Sequence, residues 1–199
     1  MRIDHEQKQV HFTVVFWGPH YSGKTTALSF ISEQLTGEAL ALDTGDELDD
    51  HAERGTASWD SIPFAAGEVG GYAISFRLDS TCERPFVPLP RLQVAVTGAD
   101  GLVLVIYSRA ERLERNRRSL AKLRQALQAV GSSLEALPVV VMYNRQDAPT
   151  ALPVEQLRAA LGLTSFQETT AIASRGVGVF AALKQIVALV LARAREEAN

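Results

Sequence analysis

The chain has 199 residues, of which 46% are apolar and 22% charged, with a formal net charge of −3. That is length enough for one domain with a full core, and the mild acidity removes any general electrostatic case for nucleic acid. No apolar run could span a bilayer, neither end carries a secretory or lipidation pattern, and a lone cysteine, Cys82, excludes an internal disulfide and a cysteine-rich metal site, so the expectation is a cytoplasmic protein with no membrane anchor.

In chain order, the run Val10 to Trp17 reads as a strand and Lys24 to Gln34 as a helix with Leu28, Ile31 and Leu35 on one side, ended by Thr36-Gly37. A short apolar stretch over 38–43 follows, then an irregular, polar segment over 44–61. Ile62-Pro63-Phe64 and Tyr72 to Leu78 read as two strands, joined by hairpin chemistry in Gly67-Glu68-Val69-Gly70-Gly71. A second irregular stretch over 79–91 holds three prolines, and Leu92 to Thr97 reads as a short helix.

The continuous apolar runs Gly101 to Tyr107 and Pro138 to Tyr143 have the pattern of central parallel strands buried on both faces. Between them an amphipathic helix over 110–130 turns Leu113, Leu120, Leu123, Leu127 and Val130 inward. Its outer face is basic: Arg112, Arg115, Arg117, Arg118, Lys122 and Arg124. A helix from Val154 to Leu161, a strand from Phe166 to Ile172 and a long helix from Val179 to Arg195 complete the chain. Strands alternating with helices specify an α/β fold with a parallel sheet and right-handed crossovers. On such sheets ligands sit at the carboxyl ends of the strands.

One of those ends carries Gly18-Pro19-His20-Tyr21-Ser22-Gly23-Lys24-Thr25, which fits GxxxxGK[ST] at every fixed position, between strand and helix. Backbone N–H groups in such a loop make a concave anion site, and the next helix adds its positive end. Lys24 can reach the outer phosphates of a nucleotide, and the Thr25 hydroxyl, with Thr26 behind it, begins the helix where Mg²⁺ would bind. His20 and Tyr21 are bulky for residues so close to a phosphate.

After the strand ending at Tyr143 comes Asn144-Arg145-Gln146-Asp147. Asp147 there can accept two hydrogen bonds from the Watson–Crick edge of guanine. Adenine lacks that pair of donors and would leave the carboxylate unpaired. Asn144 would brace the loop, and Arg145 would lay its stem along base and sugar. Ala173-Ser174-Arg175-Gly176, after the last strand, could offer N–H groups to the guanine oxygen.

GPHYSGKTT, NRQD and the late ASRGVGVF stand in the order found in Ras-like small GTPases, and the chain resembles more closely the bacterial MglA-type GTPases, switches of gliding motility and cell polarity. The likeness runs from about Val10 to Arg193. It implies a P-loop NTPase fold with a Ras-like six-stranded, mostly parallel sheet and helices on both faces. It implies further a single Ras-like G domain over 1–199, with a core over about 10–195 and short polar tails. GTP or GDP with Mg²⁺ is the implied ligand, and Roadblock/LC7-type (MglB-like) dimers are the implied partners. By position, Gly18, His20, Tyr21, Ser22, Gly23, Lys24, Thr25 and Thr26 belong to the phosphate loop. Thr56 takes the place of the first-switch threonine, which with Thr25 serves the metal. Asn144, Arg145 and Asp147 face the base, with Ala173 and Ser174 in the last loop.

The departures from that pattern fall on catalysis. Where the family carries Pro-Gly-Gln, this chain reads Cys82-Glu83-Arg84. Glu83 sets an anion toward an anion, and Arg84 has donors but no acceptor for an attacking water. The arginine expected beside Thr56 is Gly55, with Arg54 one step away, and His20 replaces a small glycine. Weak or absent GTP hydrolysis is therefore expected. The alternatives are an active GTPase in which Arg54 and Arg84 supply relocated positive charge with a Roadblock-type activator, and a nucleotide-free interaction scaffold.

Overall fold

The structure, a computed structural model, describes residues 1–37, 61–81 and 88–197. The stretch over 38–43, the irregular segment after it as far as residue 60, and residues 82–87 of the three-proline segment therefore lie outside the described residues. Described in chain order are β1 (Arg2–Asp4), β2 (Gln9–Trp17), α1 (Lys24–Thr36), β3 (Ser61–Val69), β4 (Tyr72–Ser80), α2 (Leu89–Val96), β5 (Gly101–Tyr107), α3 (Leu113–Ala129), β6 (Val139–Asn144), α4 (Val154–Leu161), β7 (Gln167–Ala171) and α5 (Val179–Glu197).

These strands form one seven-stranded sheet in the order β3-β4-β2-β5-β6-β7, with β1 paired to β2. Every pairing among β4, β2, β5, β6 and β7 is parallel, and only the β3–β4 and β1–β2 pairings are antiparallel. The mostly parallel α/β fold is thus as expected, and β1 adds one strand to the six. Residues 2–4, expected within a polar tail, pair with residues 9–11 of β2. They occupy the flank that β5 leaves open, since β5 joins β2 only from Val14 onward.

The all-apolar runs are explained by the two layers they serve. Val103, Val105, Val140 and Met142 point with Val14 and Phe16 toward Ala27, Leu28 and Ile31 of α1 and Val179, Leu183 and Ile186 of α5. Their neighbours Leu102, Leu104, Ile106, Val141 and Tyr143 point with Val15 and Trp17 toward Leu92 of α2, Leu120, Leu123 and Leu127 of α3, and Leu157 of α4. Successive side chains of a strand face opposite ways, so a strand covered on both faces must be apolar throughout.

Four local expectations are corrected. The hairpin turn is Gly70-Gly71, both at positive φ, as a two-residue turn between twisted strands requires; Gly67 instead sits within β3 at a register shift, a bulge. Leu35, expected on the inner side of α1, is exposed. So is Val130, because α3 stops at Ala129 and the chain turns away through Gly131 at φ 74. The short helix begins at Leu89, not Leu92, with a proline in its first turn, where the missing N–H costs nothing.

Tyr143, on β6, is fully buried beside the Arg158–Glu168 ion pair. Burial first, and the Glu168 carboxylate second, push its phenol up to about 12. The unfolded chain releases that proton near pH 10 and the folded chain does not, so the folded state loses ground as pH rises above about 10. Urea denaturation at stepped alkaline pH is expected to show stability falling by up to ~1.4 kcal/mol per pH unit above pH 10, and Tyr143→Phe is expected to flatten that slope.

Candidate functional site

β2 ends at Trp17 and α1 starts at Lys24, leaving Gly18 to Gly23 as a tight loop over the carboxyl end of β5. A Cβ on Gly18 would stand 2.3 Å from the Val105 carbonyl oxygen, so only glycine lets the loop lie this close. The Ser22 N–H donates to the Pro19 carbonyl at 3.1 Å and closes the turn. Tyr21 and Gly23 both have left-handed backbones, φ 65 and 99, on either side of Ser22. Alternation of that kind turns successive N–H groups to one side and makes an anion nest.

The loop has the other marks of a phosphate cradle. The buried Lys24 ammonium donates to the carbonyls of Gly18, at 2.7 Å, and Pro19, at 2.9 Å, and is held over the loop. The Ser22 hydroxyl is buried and finds no hydrogen-bond partner among the described residues. α1 begins at Gly23 with no side-chain cap and no acidic residue in its first turn, so its first amides and positive end are uncompensated. An orphaned hydroxyl, an uncapped helix and a nest fit an oxyanion with several acceptor oxygens. Thr25 and Thr26 are half-buried in the same first turn.

The second part of the site is built by Asn144, the last residue of β6. Its amide Nδ2 donates to the Ser22 carbonyl at 2.7 Å, and its Oδ1 accepts the Ala173 N–H at 2.9 Å. One buried side chain thus ties the phosphate loop to the loop after β7. The fit is close enough to dictate glycine next door: a Cβ on Gly23 would stand 2.2 Å from Asn144 Nδ2. Gly23, Thr26, Asn144, Arg145, Asp147, Ile172, Ala173 and Ser174 line one cleft beside the helix start. All but Ile172 were expected at the site from the sequence.

Other expected residues have neighbours of their own. The Arg145 guanidinium lies 5.2 Å from the centroid of the Tyr107 ring, with the residue's backbone at φ 64. His20 packs on Tyr21, ring centroids 3.9 Å apart, and Tyr21 is half exposed. Arg54, Thr56 and Arg84 lie outside the described residues, as do Gly55 and Glu83. Asp79 is engaged by the Ser61 hydroxyl at 2.7 Å and by Arg77 Nε at 3.0 Å.

Sequence reasoning missed the supports behind these loops. Asn116 of α3 is buried and brackets Tyr107, accepting its N–H at 3.0 Å and donating to its carbonyl at 2.8 Å. Ser108 accepts from Gln146 Nε2 at 2.7 Å through its hydroxyl, and its N–H donates to the Asn144 carbonyl. A polar Asn on the inner side of an otherwise apolar helix face was the one available signal for the first of these.

No protein-family model matches the chain. It is similar to the mutual gliding-motility protein MglA of Myxococcus xanthus, with 34% identity over 193 residues that cover 95% of this chain and 95% of that protein. The chain belongs to the MglA family of Ras-like GTPases. Like that relative, this MglA-family chain is covered nearly end to end by the alignment, so the phosphate loop, the Asn144 segment and the last loop all fall within it. No helix among its described residues is long and apolar enough to cross a membrane.

Asn144 is the testable keystone of this MglA-family site. Asn144→Ala removes two buried hydrogen bonds and strands a carbonyl and an N–H, and it is expected to cost about 2–4 kcal/mol. Chemical denaturation measures this, and Ser119→Ala, on the far layer, serves as a control with a smaller loss.

Proposed function

We propose that this chain is an MglA-type guanine-nucleotide-binding protein that works through protein partners, as a regulatory switch or partner-binding subunit, and hydrolyses GTP slowly or not at all. The observation that carries the binding half is Asn144, which joins a phosphate-type loop to the cleft where Asp147, Ala173 and Ser174 meet. In this reading the nest from Gly18 to Gly23 and Lys24 hold the phosphates, and Ser22 gains the acceptor it lacks. Asp147 takes the guanine edge by two accepted hydrogen bonds, with the Ala173 and Ser174 backbone beside it. Mg²⁺, held by Thr25 and by family position Thr56, would neutralise phosphate charge when bound.

The slow-hydrolysis half rests on sequence departures at Glu83, Arg84, Gly55 and His20. Loss of an arginine finger alone removes ~10³–10⁵ in rate. A Roadblock/LC7-type dimer is the partner class in this reading, and the process is a motility or polarity switch, motility being the part that the relative's name supports. The setting in this reading is the cytoplasm.

Denaturing the freshly purified protein and resolving the supernatant by anion exchange is expected to release GDP or GTP, near one per chain. Asp147→Ala is expected to weaken GDP binding by roughly 10²-fold, the worth of two hydrogen bonds to a charged acceptor, and to leave the far weaker ADP binding unchanged. Single-turnover GTP decay is expected at or below ~10⁻⁴ s⁻¹, the scale of an unassisted Ras-type domain. A protein that neither carries nor takes up guanine nucleotide would overturn the binding reading. Rapid Mg²⁺-dependent turnover would overturn the slow-hydrolysis half alone.

A further inference from the structure

Three arginines converge on one buried tyrosine at the carboxyl end of β5. The guanidinium carbons of Arg145, Arg112 and Arg109 lie 5.2, 5.6 and 6.0 Å from the centroid of the Tyr107 ring. They come from two loops that the fold holds together. Arg109 pairs with Ala151 across an isolated bridge, and the Ala110 N–H donates to the Thr150 carbonyl at 2.9 Å. The Tyr107 backbone is bracketed by Asn116, and the tyrosine is buried.

The charges of this cluster are not balanced. Among the described residues, the carboxylate placed against it is Glu111, which is exposed, lies 3.8 Å from Arg109 and spends an oxygen on the Thr150 hydroxyl at 2.9 Å. Its own backbone N–H and that hydroxyl, with Arg109 and Arg112, hold the carboxyl below its ordinary range, so it is ionised and still leaves two positive charges over. The Nε atoms of Arg109, Arg112 and Arg145 are all buried, and no described residue accepts a hydrogen bond from any of them. A buried donor without an acceptor is costly, and three charged ones around one ring are a concentrated deficit of acceptors. A ring face attracts cations but accepts no fork of parallel N–H bonds. An oxyanion with several acceptor oxygens meets both needs, because guanidinium groups bind it through paired donors.

We propose that Arg109, Arg112 and Arg145 form a second anion site, beside the nucleotide cleft and separate from the phosphate loop, that takes a phosphoryl group. Arg145 also lines the cleft, so an occupant here would lie next to the bound base and would draw on the same arginine. The phosphoryl group could be the free ion or the head of a small phosphate ester, and the chemistry of recognition is the same for both.

The test is a titration followed by the arginine Nε–Hε signals in nitrogen–proton correlation spectra, with inorganic phosphate in one arm and O-phosphoserine in the other. It is run on the full chain saturated with GDP, whose affinity is measured first; a failure to bind GDP would count against the proposed function, and the titration then proceeds on the protein as purified. Three Nε–Hε signals are expected to move together and saturably, and tighter binding of phosphate or of phosphoserine identifies the free ion or the ester as the occupant. Arg109→Gln and Arg112→Gln are each expected to weaken binding by roughly tenfold or more, the worth of a charged hydrogen bond, with GDP affinity unchanged within about twofold and thermal unfolding confirming that both variants fold. The same titration on nucleotide-free protein is the reference, and saturable shifts seen there but abolished in the GDP-saturated protein would place the anion on the phosphate loop and overturn the proposal. So would shifts that both variants retain, or no saturable shift at all.

Discussion

Everything at the upper rim of the sheet depends on the two hydrogen bonds of one amide. Asn144 reaches a carbonyl 122 residues earlier and an N–H 29 residues later. One partner is the loop from Gly18 to Gly23, and the other begins a single 3-10 turn, Ala173–Arg175. A carboxamide is the side chain for this work because it carries a donor and an acceptor on one rigid plane. Aspartate could not donate to Ser22, and a longer side chain would not fit where Gly23 passes within contact of Nδ2. The position is fixed by β6, whose last residue pairs with Tyr107 on one side and Ala171 on the other. The strand register thus sets the site geometry directly, one link from sheet to loop.

How much of this was legible beforehand varied with the physics involved. The apolar runs of β5 and β6 announced central strands, because only a strand buried on both faces is apolar at every position. The phosphate loop was legible from spacing, since Gly18, Gly23 and Lys24 each answer a different steric or charge demand. Seven of the eight residues lining the cleft were named in advance; Ile172 was not, because an apolar residue at a strand end reads as core. What stayed hidden was pairing at a distance. β1 has only three residues and no alternation to show, and its strand state comes from the free flank of β2. The orientation of Arg145 was equally hidden, since it depends on Tyr107, which as a sequence feature is just the last residue of an apolar strand. Gly67 looked like a turn because glycine serves bulges and turns alike, and only the register of β3 against β4 separates them.

The family assignment and the site residues carry different weights of explanation. Membership accounts for the order of the elements and for the loops at their carboxyl ends. It does not by itself say what His20, packed on the half-exposed Tyr21, or the three arginines around Tyr107 do. Each bears on the electrostatics or the space of the rim rather than on the fold beneath it.

Backbone strain points the same way. Among the described residues, three without the freedom of glycine take a left-handed backbone: Lys8, Tyr21 and Arg145. Two of the three lie in the loops that Asn144 ties or follows directly. Such a conformation costs roughly 1–2 kcal/mol for a residue with a Cβ, and it persists only where the surroundings over-determine it. Around Tyr21 they do: Ser22 is pinned through its carbonyl by Asn144 and through its N–H by Pro19, so the residue before it has little choice of path. Around Arg145 the same holds, since Asn144 is fixed on one side and the Gln146 N–H reaches the Ala171 carbonyl at 3.3 Å on the other. Relaxing either strain would mean moving the loop away from the cleft. The strained backbone therefore keeps the Arg145 side chain at the boundary between cleft and arginine cluster, the one place from which a single residue can serve both.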